Sequence, residues 1–279
     1  MDNFKKTPIP SFKELEQTGW EQKAADYHAL IGGITRSAAA SMLAGDTITP
    51  TTRLLDVACG PGYIAGMAHS YGANVTGLDF APAMVKLAQQ QYPDCEFMCG
   101  DAEELPFTAE SFDIVTCAFG LLHLAEPERA LREALRILKP GGRYLFTVWD
   151  TPEKHDFFRI VLDAIQTHGT LDLPLPPAPP FFRFSDPVEC RSALGDAGFV
   201  DMEVKEILLY QHAQDATELL TMLEKSSVRA AMLLEAQSAG AQIKIKQAIL
   251  HEAAHFKQAT GYQLAWPVIM ISAVKPDKY

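Results

Sequence analysis

"LLDVACGPGYIA", residues 54–65, is the stretch whose reading decides the fold. An apolar run ends in Asp56, a Gly-Pro-Gly turn follows, and Tyr63 opens a helical pattern. Gly60, Gly62 and Ala65 fit the G-x-G-x-x-G/A pattern of a dinucleotide site. Two glycines also make an ordinary tight strand-to-helix turn, so the match alone decides nothing. The surrounding residues have to choose the ligand.

Outward from the turn, strand-like and helix-like runs alternate. Strands are predicted over 53–58, 74–79, 96–99, 112–119 and 143–149, with helices over 63–71, 82–92 and 128–138. Such alternation implies βαβ units on a parallel sheet. "LKPGG", 138–142, is expected to end the third helix in a turn made by Pro140 and two glycines. Beyond Asp150 the rhythm breaks. "HDFFRIVLDAIQTHG" is helical in period, and "LDLPLPPAPPFFRF" is a proline-dense extended connector. Ser185 or Asp186 caps a helix that runs from Pro187 to Ala197 and stops at Gly198. "VDMEVKEILLY" reads as a strand, 215–258 as mostly helix interrupted near Gly240, and "LAWPVIMISAVK" as a strand closing the sheet. No internal repeat is visible. The expectation is one domain: a helical cover over 1–45, a core over 46–150, a substrate-side insertion and lid over 151–258 that includes a core strand near 200–210, and a closing strand over 259–279.

Composition narrows the class. Hydrophobic residues make up 48% of the 279, enough for a sizeable core, and the net charge of −11 argues against a nucleic-acid partner. Cys59, Cys95, Cys99, Cys117 and Cys190 are odd in number and lack C-x-x-C spacing, so they read as reduced thiols. The opening residues have no apolar signal core, and no run approaches the ~18 apolar residues of a membrane span. A cytoplasmic protein acting on a small molecule is expected; its oligomeric state is not legible.

Three carboxylates choose the ligand. Asp79 closes the second strand, where an acidic side chain accepts both ribose hydroxyl protons. Asp101, in "GDA", follows the third strand, where a carboxylate takes a hydrogen bond from an adenine amino group. Asp56 lies beneath the glycine turn, where it would repel a pyrophosphate but suits an α-ammonium group. Adenosine joined to an amino acid is S-adenosylmethionine, and NAD is disfavoured.

The same segments carry a family resemblance. "LLDVACGPG", "VTGLDFAPAMVKLAQ", "GDAEELPFTAESFDIVTCAFGLLHL" and "LKPGGRYLFTVW" resemble consecutive motifs of class I S-adenosylmethionine-dependent methyltransferases, most of all the UbiE-like small-molecule branch. The resemblance is dense over about residues 20–150. It implies a doubly wound, mostly parallel seven-stranded α/β sheet of Rossmann-like methyltransferase fold with helical lid insertions. Carried over residue by residue, it implies that Asp56, Gly60 and Gly62 bind the methionine part and Asp79 the ribose. Phe80 and Met84 flank the adenine, although packing explains Met84 almost as well. Asp101 and Ala102 meet the adenine edge, Ala118 lies beside the cofactor, and Tyr27 reaches its carboxylate from the N-terminal helix. Cys59 is a common occupant of the turn with no chemistry of its own.

Methyl transfer displaces a neutral thioether in line, so the protein chiefly positions the acceptor and excludes water. A base is needed only if the acceptor loses a proton. His123, just past the fourth strand, is the catalytic candidate, weighed against a histidine that merely lines the pocket; Glu126, His155 and His212 rank lower. Phe157, Phe158, Phe181, Phe182 and Met222 are candidates for an apolar acceptor pocket, or for plain packing. "HEAAH", 251–255, matches the H-E-x-x-H zinc signature. It lacks a third downstream ligand and the extended form's glycine, where Gln258 stands, so a metallopeptidase is a distant reading and no metal is expected. A protein that binds S-adenosylmethionine without turnover is the other alternative.

Overall fold

The computed structural model describes residues 10–45 and 47–277. The first nine residues, on which the expectation of a missing signal segment partly falls, lie outside the described residues.

Two helices lead the chain, α1 (Phe12–Leu30) and α2 (Gly32–Leu43). Ser11 starts α1 through a capping box with Glu14, which satisfies backbone donors at both residues. Then come β1 (Arg53–Val57), α3 (Tyr63–Ser70), β2 (Asn74–Asp79), α4 (Pro82–Gln91), β3 (Glu96–Cys99), β4 (Phe112–Ala118), α5 (Pro127–Ile137) and β5 (Leu138–Trp149). The rest is α6 (Asp156–His168), α7 (Pro187–Ala197), β6 (Val200–Ala213), α8 (Ala216–Ser226), α9 (Arg229–Glu235), α10 (Ala239–Ala253), β7 (Lys257–Gln258) and β8 (Gly261–Val274).

The strands form one sheet in the order β3-β2-β1-β4-β5-β8-β6, with β7 paired to β8. The first five are parallel, and β8 runs antiparallel to both β5 and β6. The seven-stranded, mostly parallel sheet is thus as expected, with the two-residue β7 as an addition. β1 and β4 sit mid-sheet and are buried on both faces, which is why they read as continuous apolar runs rather than alternating ones. Chain order reverses between β1 and β4, and a crevice opens at such a point beyond the carboxyl ends of the strands.

Three expectations need correction. "LKPGG" is not a turn outside the sheet, because β5 begins at Leu138 straight after α5. Leu138 pairs Phe112, the register then jumps to Arg143 opposite Ile114, and Gly141 at φ +73° lets the intervening residues bulge. The helical tail breaks at 227–228 and 236–238 instead of at Gly240, which lies in the first turn of α10. His251 and His255 do not share a helix, because α10 ends at Ala253 and His255 occupies a 3-10 turn.

The N-terminal helix crosses the open end of the sheet. Gln17 donates to the Phe80 carbonyl at 2.8 Å, and Glu21 accepts from the Ala83 backbone at 2.7 Å. These bonds strap α1 over the loop joining β2 to α4. No helix among the described residues is long and apolar enough to cross a membrane.

Candidate functional site

β1 hands over to α3 through a left-handed stretch: Ala58 and Gly60 at φ +51° and Gly62 at +83°. The two glycines do different work. A Cβ on Gly62 would meet the Phe97 ring at 2.9 Å and Ala88 at 3.1 Å, so Gly62 lets helix and sheet pack closely. A Cβ on Gly60 would meet nothing within 4 Å, because Gly60 faces open space. That space is a cavity over the strand ends.

Of the residues the sequence nominates, Tyr27, Gly60, Asp79, Phe80, Met84, Asp101, Ala102, Ala118 and His123 all line this one cavity. Asp56 and Gly62 do not. Asp56 is buried beneath the turn, where it accepts the Thr116 hydroxyl at 2.9 Å and the Ala65 backbone N–H at 3.3 Å. Burial pushes its carboxyl up to about 7. Asp79 accepts the Gly60 and Ala81 backbone N–H groups, both at 2.9 Å, and burial lifts it to about 6 against those stabilising bonds. Its carboxylate therefore both fixes the glycine turn and borders the cavity. Asp101 is ion-paired with Lys13 of α1, whose ammonium also bonds Glu103 at 2.7 Å. Burial drives the Tyr27 hydroxyl and the Cys59 thiol upward, so both stay protonated near neutral pH.

The far end of the cavity is aromatic. Trp149, Phe157, Phe158, Phe181 and Trp266 line it, with Met222. Phe182 does not line it, but packs edge-on against Phe158 and Phe181 at 5.2 and 4.9 Å. Trp149 stacks on Phe119 at 3.9 Å, and Phe119 holds a left-handed φ of +55°. A left-handed backbone at a bulky residue costs of order 1–3 kcal/mol. Phe119 and Ala58, at the ends of β4 and β1, bring two of the four such non-glycine residues among the described residues to the cavity wall.

His123 stands in the 3-10 turn Leu121–His123, at the junction of the two ends. Its Nδ1 lies 2.9 Å from Glu16 Oε2, and its ring meets the edge of Trp20 at 4.9 Å. The lower-ranked bases are elsewhere: Glu126, His155 and His212 do not line the cavity. His155 is buried between Trp149 and Trp266, and desolvation lowers it to about 3. It caps α6 as a neutral imidazole, its Nδ1 accepting the Phe158 N–H at 3.5 Å.

Glu16, Trp20, Trp149, Arg229 and Trp266 escaped the sequence reading. A signal for the first two exists: Lys13, Glu16, Trp20 and Tyr27 recur at helical spacing and face the cavity or its walls. At the HEAAH segment, Glu252 turns to His255 Nδ1 at 3.5 Å, and His255 is largely exposed. Among the described residues, no three His, Cys, Asp or Glu side chains gather as a metal site.

Residues 55–146 match the family model described as "Methyltransferase domain". Over that span the chain is similar to UbiE-like methyltransferases. Most of the cavity's glycine-turn end falls within the matched span, with Tyr27 added from α1. A demethylmenaquinone methyltransferase of Renibacterium salmoninarum is 43% identical over 103 residues, covering 37% of this chain and 44% of the relative. The bifunctional biotin-biosynthesis protein BioHC of Cellvibrio japonicus is 36% identical over 131 residues, covering 45% of this chain and 26% of the relative. The match thus spans less than half the length of these relatives. Among solved structures, a Haemonchus contortus phosphoethanolamine N-methyltransferase shares the fold with TM-score 0.57 at 19% identity, covering 96% of this chain and 61% of that one. The [4+2]-cyclase SpnF does so at the same score and identity, covering 96% and 98%.

Proposed function

We propose that this protein transfers a methyl group from S-adenosylmethionine to a small, hydrophobic, ring-bearing acceptor. The observation that carries the reading is one cavity with two chemically different ends and a histidine between them. The residues fit the cofactor. Gly60 leaves room where the methionine part must approach, and Asp79 presents a carboxylate for ribose hydroxyls. Phe80 and Met84 flank the adenine, Asp101 and Ala102 meet its edge, and Tyr27 and Ala118 close the wall. Asp56 and Gly62 act on the turn from beneath. When bound, the cofactor supplies an electrophilic methyl on a sulfonium.

The chain's own part is to orient the acceptor, keep water out and take a proton. The aromatic end offers flat apolar faces and few hydrogen-bond partners, which suits a quinol or phenol ring better than a sugar or amino acid. The relatives named demethylmenaquinone methyltransferases support a quinol-type acceptor. His123, between the ends, accepts the proton that a hydroxyl acceptor must lose. Mass spectrometry of co-purified ligand, followed by calorimetric titration, tests the cofactor assignment. S-adenosylmethionine should bind in preference to NAD; tighter NAD binding would contradict it.

A further inference from the structure

Glu16 is wholly buried, with no exposed surface, on a helix whose other anchors reach the cavity from its rim. A buried carboxylate is costly unless it is paired, and its Oε1 has no hydrogen-bond partner among the described residues. Its one hydrogen bond goes to His123 Nδ1 at 2.9 Å. From α1, 107 residues away in sequence, the chain thus carries a charge into the cavity wall and aims it at the candidate base. Packing does not call for a glutamate here, since an apolar side chain would fill the place without the desolvation cost, and the other charge near it is the part-buried Arg229 guanidinium of α9.

Resting on the function proposed above, we propose that Glu16 is a positioning residue for His123, holding its imidazole with the proton on Nδ1 and the lone pair of Nε2 free for the acceptor. Glu16 accepts the Nδ1–H hydrogen bond, which fixes both tautomer and ring orientation. Trp20 and Phe181 brace the ring, edge-on at 4.9 and 5.8 Å. When Nε2 takes the acceptor's hydroxyl proton, the oxygen keeps the electron pair that bonds the methyl carbon, and the sulfonium C–S pair returns to sulfur. The imidazolium that results faces Glu16 from α1 and Asp79 from the end of β2, while the Arg229 guanidinium of α9 stands against Glu16.

The opposite arrangement is chemically distinct: a protonated Glu16 would donate to Nδ1, leaving the proton on Nε2 and no base in the cavity. Long-range nitrogen–proton correlation spectra of protein labelled with 15N-histidine separate the two, with the His123 signal assigned by its loss in His123→Ala. Wild-type protein at pH 8 should show the Nδ1–H tautomer, and an Nε2–H tautomer would overturn the proposal. Glu16→Gln, whose amide can donate to Nδ1, should shift the tautomer and slow single-turnover transfer at least about a hundredfold, with S-adenosylmethionine affinity unchanged. Glu16→Asp should keep the tautomer and recover part of the rate. Unchanged tautomer and rate in a folded Glu16→Gln would also overturn it; if that variant does not fold, the wild-type spectrum decides. Because that spectrum needs no methyl transfer, an Nδ1–H tautomer in a protein that methylates nothing would sink the proposed function and leave the pairing standing.

Discussion

The two ends of the cavity were built by different means. Apart from the α1 residues such as Tyr27, the glycine-turn end comes from consecutive strand ends and the segments after them within residues 53–120, each carrying a short local pattern. The aromatic end is assembled from β5, α6, the connector before α7, α8 and β8, with no pattern shared among them. The first must meet the same cofactor atoms through backbone geometry, whereas the second only needs apolar area of the right shape. The two ends should therefore fail separately when damaged.

The largest expected effect lies at the glycine turn. Gly60→Val forces a β-branched residue into φ +51° and fills the open space in front of the turn. S-adenosylmethionine affinity should fall at least about a hundredfold by calorimetry, about 2.7 kcal/mol. Unchanged affinity would break the assignment of that end.

At the junction, His123→Ala should slow single-turnover methyl transfer at least about a hundredfold while cofactor affinity stays the same. If the variant keeps most of its rate and the same profile from pH 6 to 9, His123 is wall and the protein works by positioning alone. At the aromatic end, Phe181→Ala removes a half-buried ring and should raise the acceptor KM about tenfold with cofactor affinity unchanged. A matching loss of cofactor affinity would mean the ends are not separable.

The smallest effect is on stability. Asp56 titrates near 3.9 unfolded and about 7 folded, so the folded chain keeps a proton that the unfolded chain releases. Stability from this group is greatest below about pH 4, falls as pH rises through the window to about 7, and levels off above it. Asp79, at about 6, acts in the same direction. His155 opposes them: folded at about 3 against about 6.5 unfolded, it loses stability as pH falls between those values. In the absence of cofactor, Asp56→Asn should show a smaller drop in Tm between pH 5 and pH 8 than the wild type. Equal drops would show that the charge is not buried as described.

This contrast also explains what the sequence disclosed. The parallel core was legible because buried strands leave unbroken apolar runs and glycine turns between them. Asp79, Asp101 and His123 were legible because they stand next to strand ends, where chain order alone puts a residue at the crevice. Asp56 was only half legible: its place under the turn followed from the strand, but not which way its carboxylate points. Glu16 was hidden because its partner is far away in sequence, although the Lys13–Glu16–Trp20–Tyr27 stripe marks its helix face. Trp266 and Arg229 carried no local signal, since their place depends on how β8 and α9 fold back over the sheet.

The central claim is that both ends serve one reaction, and isotope-labelled methyl transfer tests it most directly. Wild-type protein with methyl-labelled S-adenosylmethionine, offered reduced quinols, phenols, amines and carboxylic acids, should label a hydroxyl-bearing aromatic ring and leave the amines and carboxylic acids unlabelled. Tight cofactor binding with no label in any acceptor, or label confined to polar amines, would contradict the account.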